Sequence, residues 1–298
     1  MKNIGFLFGN EKDFSQNVIN KINEKKYSDV VAKPITIDII NNFDKVKNYN
    51  YDVIFDRFSN AVPFYHSAMK FFSANGVKVV NSSHSHQIEE ELTTLSLLKA
   101  NKVNVPKIAL IPSKHLPNGV QGSDMHNLKY PLDWEGMFEK IGFPANIKSN
   151  NSNDLFDSYR VYNIQDFFFI YDMSDTKTLL FQEHIDSEQN IRVFVVGDNT
   201  TYLNYELHKA PKDRYSIFEE YVDPKIEKSI NNTIKTIKKI LDIDMFMIDV
   251  AVEKNKLYLL TINQFSMNID NANLLGETYN WLVDNTANML VDFVKNKK

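Results

Sequence analysis

Strand-like and helix-like segments alternate along the first 110 residues, and this pattern constrains the fold most. Residues 4–8 form a short apolar run closed by Gly9, and apolar residues at helical spacing follow over 14–22. Strands are then predicted over 30–40, 51–56 and 77–81, and a helix over 63–75. Alternation at this spacing is typical of βαβ units, so we expect residues 1–110 to form a parallel-sheet α/β domain.

The pattern changes after this domain. A strand bracketed by Pro106 and Pro112 precedes a polar segment, 113–130, that we interpret as a loop. The later strand predictions are the segment ending in Lys148 and 159–162, 179–181, 191–196, 245–252 and 257–262. The helix predictions are 89–102, 131–141, 164–173, 224–241 and 275–294, and a turn is expected at Lys254-Asn255. We predict two further units from these segments, 111–190 and 191–298.

Composition excludes several classes of function. The chain has 298 residues, no cysteine and a net charge of −4. The missing cysteines exclude disulfides and thiolate metal sites, and the negative charge argues against a general nucleic-acid binder. No apolar run approaches the ~20 residues that cross a bilayer, and the start of the chain reads as a strand rather than a secretory signal. We therefore expect a cytoplasmic protein without a nucleic-acid or membrane partner.

Four segments carry a resemblance to a known family. They read FDRFSNAVPFY at 55–65, VPKIALIPSK at 105–114, PLDWEG at 131–136 and QEHID at 182–186. As a set they resemble the ATP-grasp ligases, and most of all bacterial ATP-grasp proteins related to ribosomal-protein glutamate ligases and glutathione synthetases. The resemblance implies an ATP-grasp fold behind a Rossmann-like N-terminal domain, and ATP and Mg²⁺ as cofactors if the protein is active.

The resemblance also implies a nucleotide site. Lys148 matches the family's nucleotide lysine, although a strand lysine before an asparagine-rich turn is also consistent with a solvated side chain. The segment with Gln182, Glu183 and Ile185 matches the hinge that holds the base and ribose, or else it is a strand end with exposed charges. Arg192 matches the arginine used near the phosphates or the substrate carboxylate, and a buried structural arginine is the competing interpretation.

The metal site that the resemblance implies is incomplete. Asp249 matches the first carboxylate that holds magnesium, and Asn263 matches the asparagine, with Gln264 as the alternative. Thr261 stands where a second acid is expected. Magnesium affinity follows the number and charge of the oxygen ligands, so this set predicts a weak site. Asp244 and Asp270 are outside candidates.

Two further positions depart from the family. Glu91 stands where its first phosphate-binding lysine belongs, and this predicts repulsion of an ATP tail unless Lys99 or Lys102 compensates. The residues 152–154 read Ser-Asn-Asp where the family has loop glycines, which let backbone N–H groups approach phosphate. A separate metal pair at His84 and His86 has no obvious carboxylate companion.

Three functions are consistent with this sequence. The first is a divergent, non-catalytic or weakly active ATP-grasp protein, a pseudoenzyme that binds a ligand or assists an active paralogue. The second is an active ATP-dependent carboxylate–amine ligase, which joins a small-molecule or peptide carboxylate to an amine through an acyl-phosphate. The third is a scaffold or interaction protein, and a homodimer is open in each case.

Overall fold

The computed structural model describes most of the chain. The described residues are 1–10, 13–24, 29–40, 49–80, 90–151, 158–206, 209–217, 222–263, 269 and 274–295. Several predicted features lie outside them: the loop 152–154, His84, His86, Gln264 and Asp270. No helix among the described residues is long and apolar enough to cross a membrane.

The first sheet is parallel, as the alternating pattern predicted. Its strands are β1 (Lys2–Leu7), β2 (Val30–Pro34), β3 (Val53–Asp56) and β4 (Lys78–Val80), in the order β2-β1-β3-β4. The helices α1 (Asp13–Glu24) and α2 (Pro63–Ala74) connect them. Phe14, Val18 and Ile22 of α1 are fully buried, because their three- and four-residue spacing puts them on one helix face. The α/β class is therefore confirmed.

The second sheet is antiparallel and has an aromatic core. Its strands are β5 (Ile108–Ile111), β6 (Ala145–Ser149), β7 (Tyr159–Val161) and β8 (Leu179–Glu183), in the order β5-β8-β6-β7. The helices α4 (Trp134–Ile141) and α5 (Ile164–Asp172) pack on this sheet, whereas α3 (Glu91–Ala100), which precedes β5, buries Leu95 and Leu98 in the core of the third sheet. Phe167 of α5 packs edge-on against Phe138 of α4 and Phe181 of β8. These contacts fix α4 and α5 to one face of the sheet and leave its other face to a cleft.

The third sheet is also antiparallel. Its strands are β9 (Gln189–Val196), β10 (Asn199–Tyr205), β11 (Tyr215–Ser216), β12 (Met245–Glu253) and β13 (Lys256–Asn263), in the order β11-β10-β9-β12-β13. The helices α6 (Pro224–Leu241) and α7 (Gly276–Lys295) lie on opposite faces: Phe246 and Ile248 join the α6 core, whereas Met245 and Met247 join the α7 core. Because side chains alternate along a strand, Asp249 continues the face of Met247.

The predicted unit limits at 110/111 and 190/191 stay predictions. Both limits fall inside a strand, the first in β5 and the second in β9. The strands β10 and β11 were not predicted, whereas the long helix after Asp223 begins and ends where the sequence pattern placed it.

Candidate functional site

A cleft of about 510 Å³ lies between the second and third sheets. Residues of β6, β7 and β8 line one side, and residues of β9, β12 and β13 line the other. The structure brings six predicted site residues to this cleft: Lys148, Gln182, Ile185, Arg192, Asp249 and Asn263. Glu91 and Thr261 line it as well.

Lys148 forms a buried ion pair with Glu91. In β6, Ala145, Ile147 and Ser149 are buried on one face, so alternation turns Lys148 to the cleft. Its Nζ donates to Glu91 Oε1 at 2.8 Å and to the backbone oxygen of Leu260 at 3.0 Å. Glu91 is only 3% exposed, so the carboxylate that was expected to repel a phosphate tail instead neutralises Lys148.

The two lysines considered as substitutes do not reach this pair. Lys102 lines a separate cavity formed with α6 and the β12–β13 turn, and Lys99 does not line the cleft. Neither therefore compensates for Glu91 among the residues that the structure describes.

Arg192 and Asp249 form a second buried ion pair. They are direct partners on β9 and β12, and Arg192 Nε and Nη2 each donate to one oxygen of Asp249 at 2.7 Å. Nη1 donates to the Tyr215 hydroxyl at 2.6 Å, and the guanidinium carbon lies 3.4 Å from the ring centre of Tyr205. Such a two-point, stacked arrangement is the geometry for which arginine is suited.

The charge states in this group follow from burial and pairing. Burial lowers the pKa of Arg192, but the charge and hydrogen bonds of Asp249 outweigh burial and raise that pKa overall. Burial, followed by the charge of Asp249, raises the pKa of Tyr205 to about 12. Arg192 is therefore a permanent cation beside a neutral phenol at physiological pH.

The described residues do not fit a magnesium site. Both oxygens of Asp249 accept hydrogen bonds from Arg192, and the residue opposite Asp249 on β13 is Thr261. Asn263 lies opposite Met247 instead. No group of three or more His, Cys, Asp or Glu side chains suited to a metal occurs in the described ranges. Asp244, the other candidate there, forms an ion pair with Lys78 at 2.7 Å.

The hinge segment is only partly directed to the cleft. Gln182 is buried, and its Nε2 donates to the Leu260 oxygen at 3.1 Å. Glu183 does not line the cleft, because it follows Gln182 on the strand and points to the other side of the sheet. There its carboxylate contacts the Lys107 ammonium at 2.9 Å and the Lys107 backbone N–H at 3.0 Å. Ile185 is buried in the cleft wall.

Sequence reasoning missed two cleft side chains, Tyr205 and Arg160, and the tyrosine behind them, Tyr215. Tyr205 and Tyr215 belong to β10 and β11, and they surround Arg192 from those strands. Arg160 lies on β7 and lines the cleft beside His184, with 3.4 Å between Nη2 and Nδ1. The strand predicted over 159–162 could have indicated Arg160, since alternation puts it opposite the buried Val161.

Comparisons with known proteins identify the fold. No family model and no curated protein matches the sequence. Among solved structures, D-alanine–D-alanine ligase from Bacillus anthracis, complexed with ATP, aligns over 100% of both chains at 13% identity and a TM-score of 0.64. The RimK domain ATP-grasp protein from Sphaerobacter thermophilus aligns over 98% of this chain and 99% of its own at 12% identity and a TM-score of 0.66.

A third likeness extends to a different ligase. N5-carboxyaminoimidazole ribonucleotide synthetase from Thermotoga maritima aligns over 90% of this chain and 70% of its own, at 14% identity and a TM-score of 0.61. The three structures agree on one architecture, and the fold expected from the four sequence segments is confirmed.

Proposed function

The chain has the ATP-grasp fold, and from this premise we propose that it is a non-catalytic or weakly active protein of this fold, a pseudoenzyme. Its cleft binds a small ligand, or the protein assists an active ATP-grasp paralogue. We place this function in the cytoplasm, in keeping with a chain that has no cysteine.

One observation carries the proposal: the cleft charges that would hold ATP and magnesium are already neutralised by opposite charges of the protein itself. Lys148 is neutralised by Glu91, and Asp249 is neutralised by Arg192. Both pairs are largely buried, with side-chain exposures of 13% and 4% in the first and 8% and 12% in the second.

Binding of ATP would require these pairs to separate. A phosphate tail could recruit Lys148 only by leaving the Glu91 carboxylate buried without its partner, and removal of one partner from a buried pair costs about 3–5 kcal/mol. Magnesium would likewise have to displace Arg192 from Asp249. A typical micromolar ligand binds with about 8 kcal/mol, so these costs would remove much of the affinity.

Calorimetric titration of the whole chain tests the proposal. ATP and a non-hydrolysable analogue are titrated, each with and without Mg²⁺, and ADP release is then measured over a panel of amino acids. We expect no magnesium-dependent binding in the micromolar range. Micromolar, magnesium-dependent binding with ADP release would instead establish the active carboxylate–amine ligase.

A matched variant separates an eroded cleft from a rebuilt one. Glu91→Lys with Thr261→Glu restores the expected cation and acid at two described positions, and glycines at 152–154 complete the restoration. A gain in ATP affinity would support erosion of a nucleotide site. The control is Glu135→Lys with Thr200→Glu, which makes the same changes outside the cleft lining and should give no gain.

The third function, an interaction protein, is favoured by the exposed side of α5. Five large apolar side chains on or beside this helix are at least 36% exposed: Tyr162, Ile164, Phe168, Phe169 and Met173. Exposed apolar groups of this size are typical of protein contact surfaces. Sedimentation velocity over a range of concentrations tests the simplest case, a homodimer. A dimer that Phe169→Asp abolishes would support a contact surface on α5, and a monomer throughout would contradict self-association through it.

A further inference from the structure

Arg160 is the cleft cation that neither ion pair neutralises. Lys148 is matched by Glu91 and Arg192 by Asp249, but no carboxylate pairs with Arg160 in the described part of the chain. The Arg160 Nε is buried and has no hydrogen-bond partner there.

The described neighbours of Arg160 in the cleft are polar and include no carboxylate. Asn146 is its direct neighbour on β6, and Gln182 is the next residue in the same row, on β8. All three side chains line the cleft, with His184 beside Arg160. The two other acids of the cleft lining, Asp186 and Glu206, are both exposed, and Glu206 is paired with Lys209 at 2.6 Å.

A buried guanidinium donor without an acceptor is unfavourable. Arginine stays charged at every physiological pH, so Arg160 cannot escape the cost by losing a proton. An unsatisfied buried donor in a native protein calls for an explanation, and an acceptor supplied by a ligand is one. The planar fork of arginine matches the paired oxygens of a carboxylate or a phosphate.

We propose that Arg160, with Asn146 and His184, forms an anion subsite that holds the carboxylate or phosphate group of a small molecule without a metal ion. This inference rests on the proposed ligand-binding function of the cleft. It gives that function a ligand class, an oxyanion whose charge is matched by Arg160. Binding of such a ligand leaves Lys148 and Asp249 in their ion pairs.

Calorimetry with three probes, in buffer with a chelator and no Mg²⁺, tests the subsite. Inorganic phosphate and glutarate represent the two oxyanions, and adenosine is a neutral probe of the same cleft. We expect millimolar or tighter binding of phosphate or glutarate to the whole chain. The better of the two tells which oxyanion the ligand carries. Binding of adenosine alone would overturn the inference, as would binding of no probe.

Substitutions assign the binding to Arg160. Arg160→Met should weaken it by about 10-fold or more, as expected for loss of a charge-assisted hydrogen bond. Arg160→Lys keeps the charge but not the fork and should fall between Arg160→Met and the wild type, which keeps the test valid if the methionine variant folds poorly. Arg214→Met removes the same charge outside the cleft lining and should bind like the wild type. Equal binding by wild type and Arg160→Met would overturn the assignment.

The ATP titration described under the proposed function distinguishes failure of the anion subsite from failure of the non-catalytic function. Magnesium-dependent ATP binding with ADP release would overturn the non-catalytic function, whatever phosphate and glutarate do. Absence of both ATP and oxyanion binding would overturn the anion subsite alone, because an accessory role does not need it.

Discussion

Glu91 and Lys148 form an ion pair in which each charge depends on the other. Glu91 is the first residue of α3 and Lys148 lies in β6, and their side chains meet at 2.8 Å with little contact with water. Two buried charges lose their hydration, and their attraction offsets this loss only while both are present. The pair therefore responds to substitution differently from the exposed ion pairs of this protein.

A double-mutant cycle measures this dependence. We expect Glu91→Met and Lys148→Met each to lower the free energy of unfolding by about 3 kcal/mol, because each leaves a buried charge alone. The double variant should be more stable than either single variant. Denaturant unfolding gives the values, and Lys209→Met, which breaks an exposed pair with Glu206, is the control with a loss of at most ~1 kcal/mol. Additive losses in the double variant would contradict the coupling.

The sequence identified the members of this pair but not their relation. Lys148 was expected in the cleft from the resemblance, and Glu91 was expected there as a repulsive charge. The Glu91–Lys148 distance joins residues 57 positions apart, so it depends on how α3, which packs against α6 and β13, meets the end of β6. Local patterns do not contain this information. Glu183 shows the opposite case, since simple alternation with Gln182 already directs it away from the cleft.

Among the elements, the β12–β13 hairpin has a turn that demands positive φ. Lys254 and Asn255 have φ values of 49° and 61°, as in the two-residue turns that suit the twist of a hairpin. The sequence predicted this turn. It missed β10, whose residues Asn-Thr-Thr-Tyr-Leu-Asn-Tyr are mostly polar and only partly buried, so that no apolar alternation marks the strand.

Substitution of Asn255 tests the turn geometry. We expect Asn255→Gly to raise the free energy of unfolding by about 0.5 kcal/mol, because glycine adopts positive φ without steric cost. Asn255→Ala is the matched control and should lower it by about 1 kcal/mol, since a Cβ is unfavourable in this region and alanine lacks the local hydrogen bonds of asparagine. Thermal and denaturant unfolding both measure the expected order of stability, in which Asn255→Gly lies above the wild type and Asn255→Ala below it. Equal stability of the glycine and alanine variants would mean that the hairpin uses another turn.

At the scale of the whole molecule, the backbone oxygen of Leu260 connects two sheets. It accepts from Lys148 of β6 at 3.0 Å and from Gln182 of β8 at 3.1 Å, so two strands of the second sheet are held to β13 of the third. The alternating pattern predicted the first sheet well, and the resemblance indicated the fold of the rest. Neither could show this connection, because the acceptor is a main-chain atom that has no sequence signature.

Gln182→Met tests whether this connection limits opening of the cleft. Methionine has a similar length and keeps the packing, but it removes the donor to Leu260. A hydrogen bond of this kind contributes about 0.5–1.5 kcal/mol, so we expect amide exchange in β8 and β13 to become about 2- to 10-fold faster where exchange occurs through local opening. Gln189→Met, on β9 and with only a 3.5 Å contact to Asn204, is the control and should leave exchange in those strands unchanged. If Gln182→Met also leaves it unchanged, the two sheets are held together by the ion pair of Lys148 and by packing, and the Gln182 side chain then serves only to fill the cleft wall.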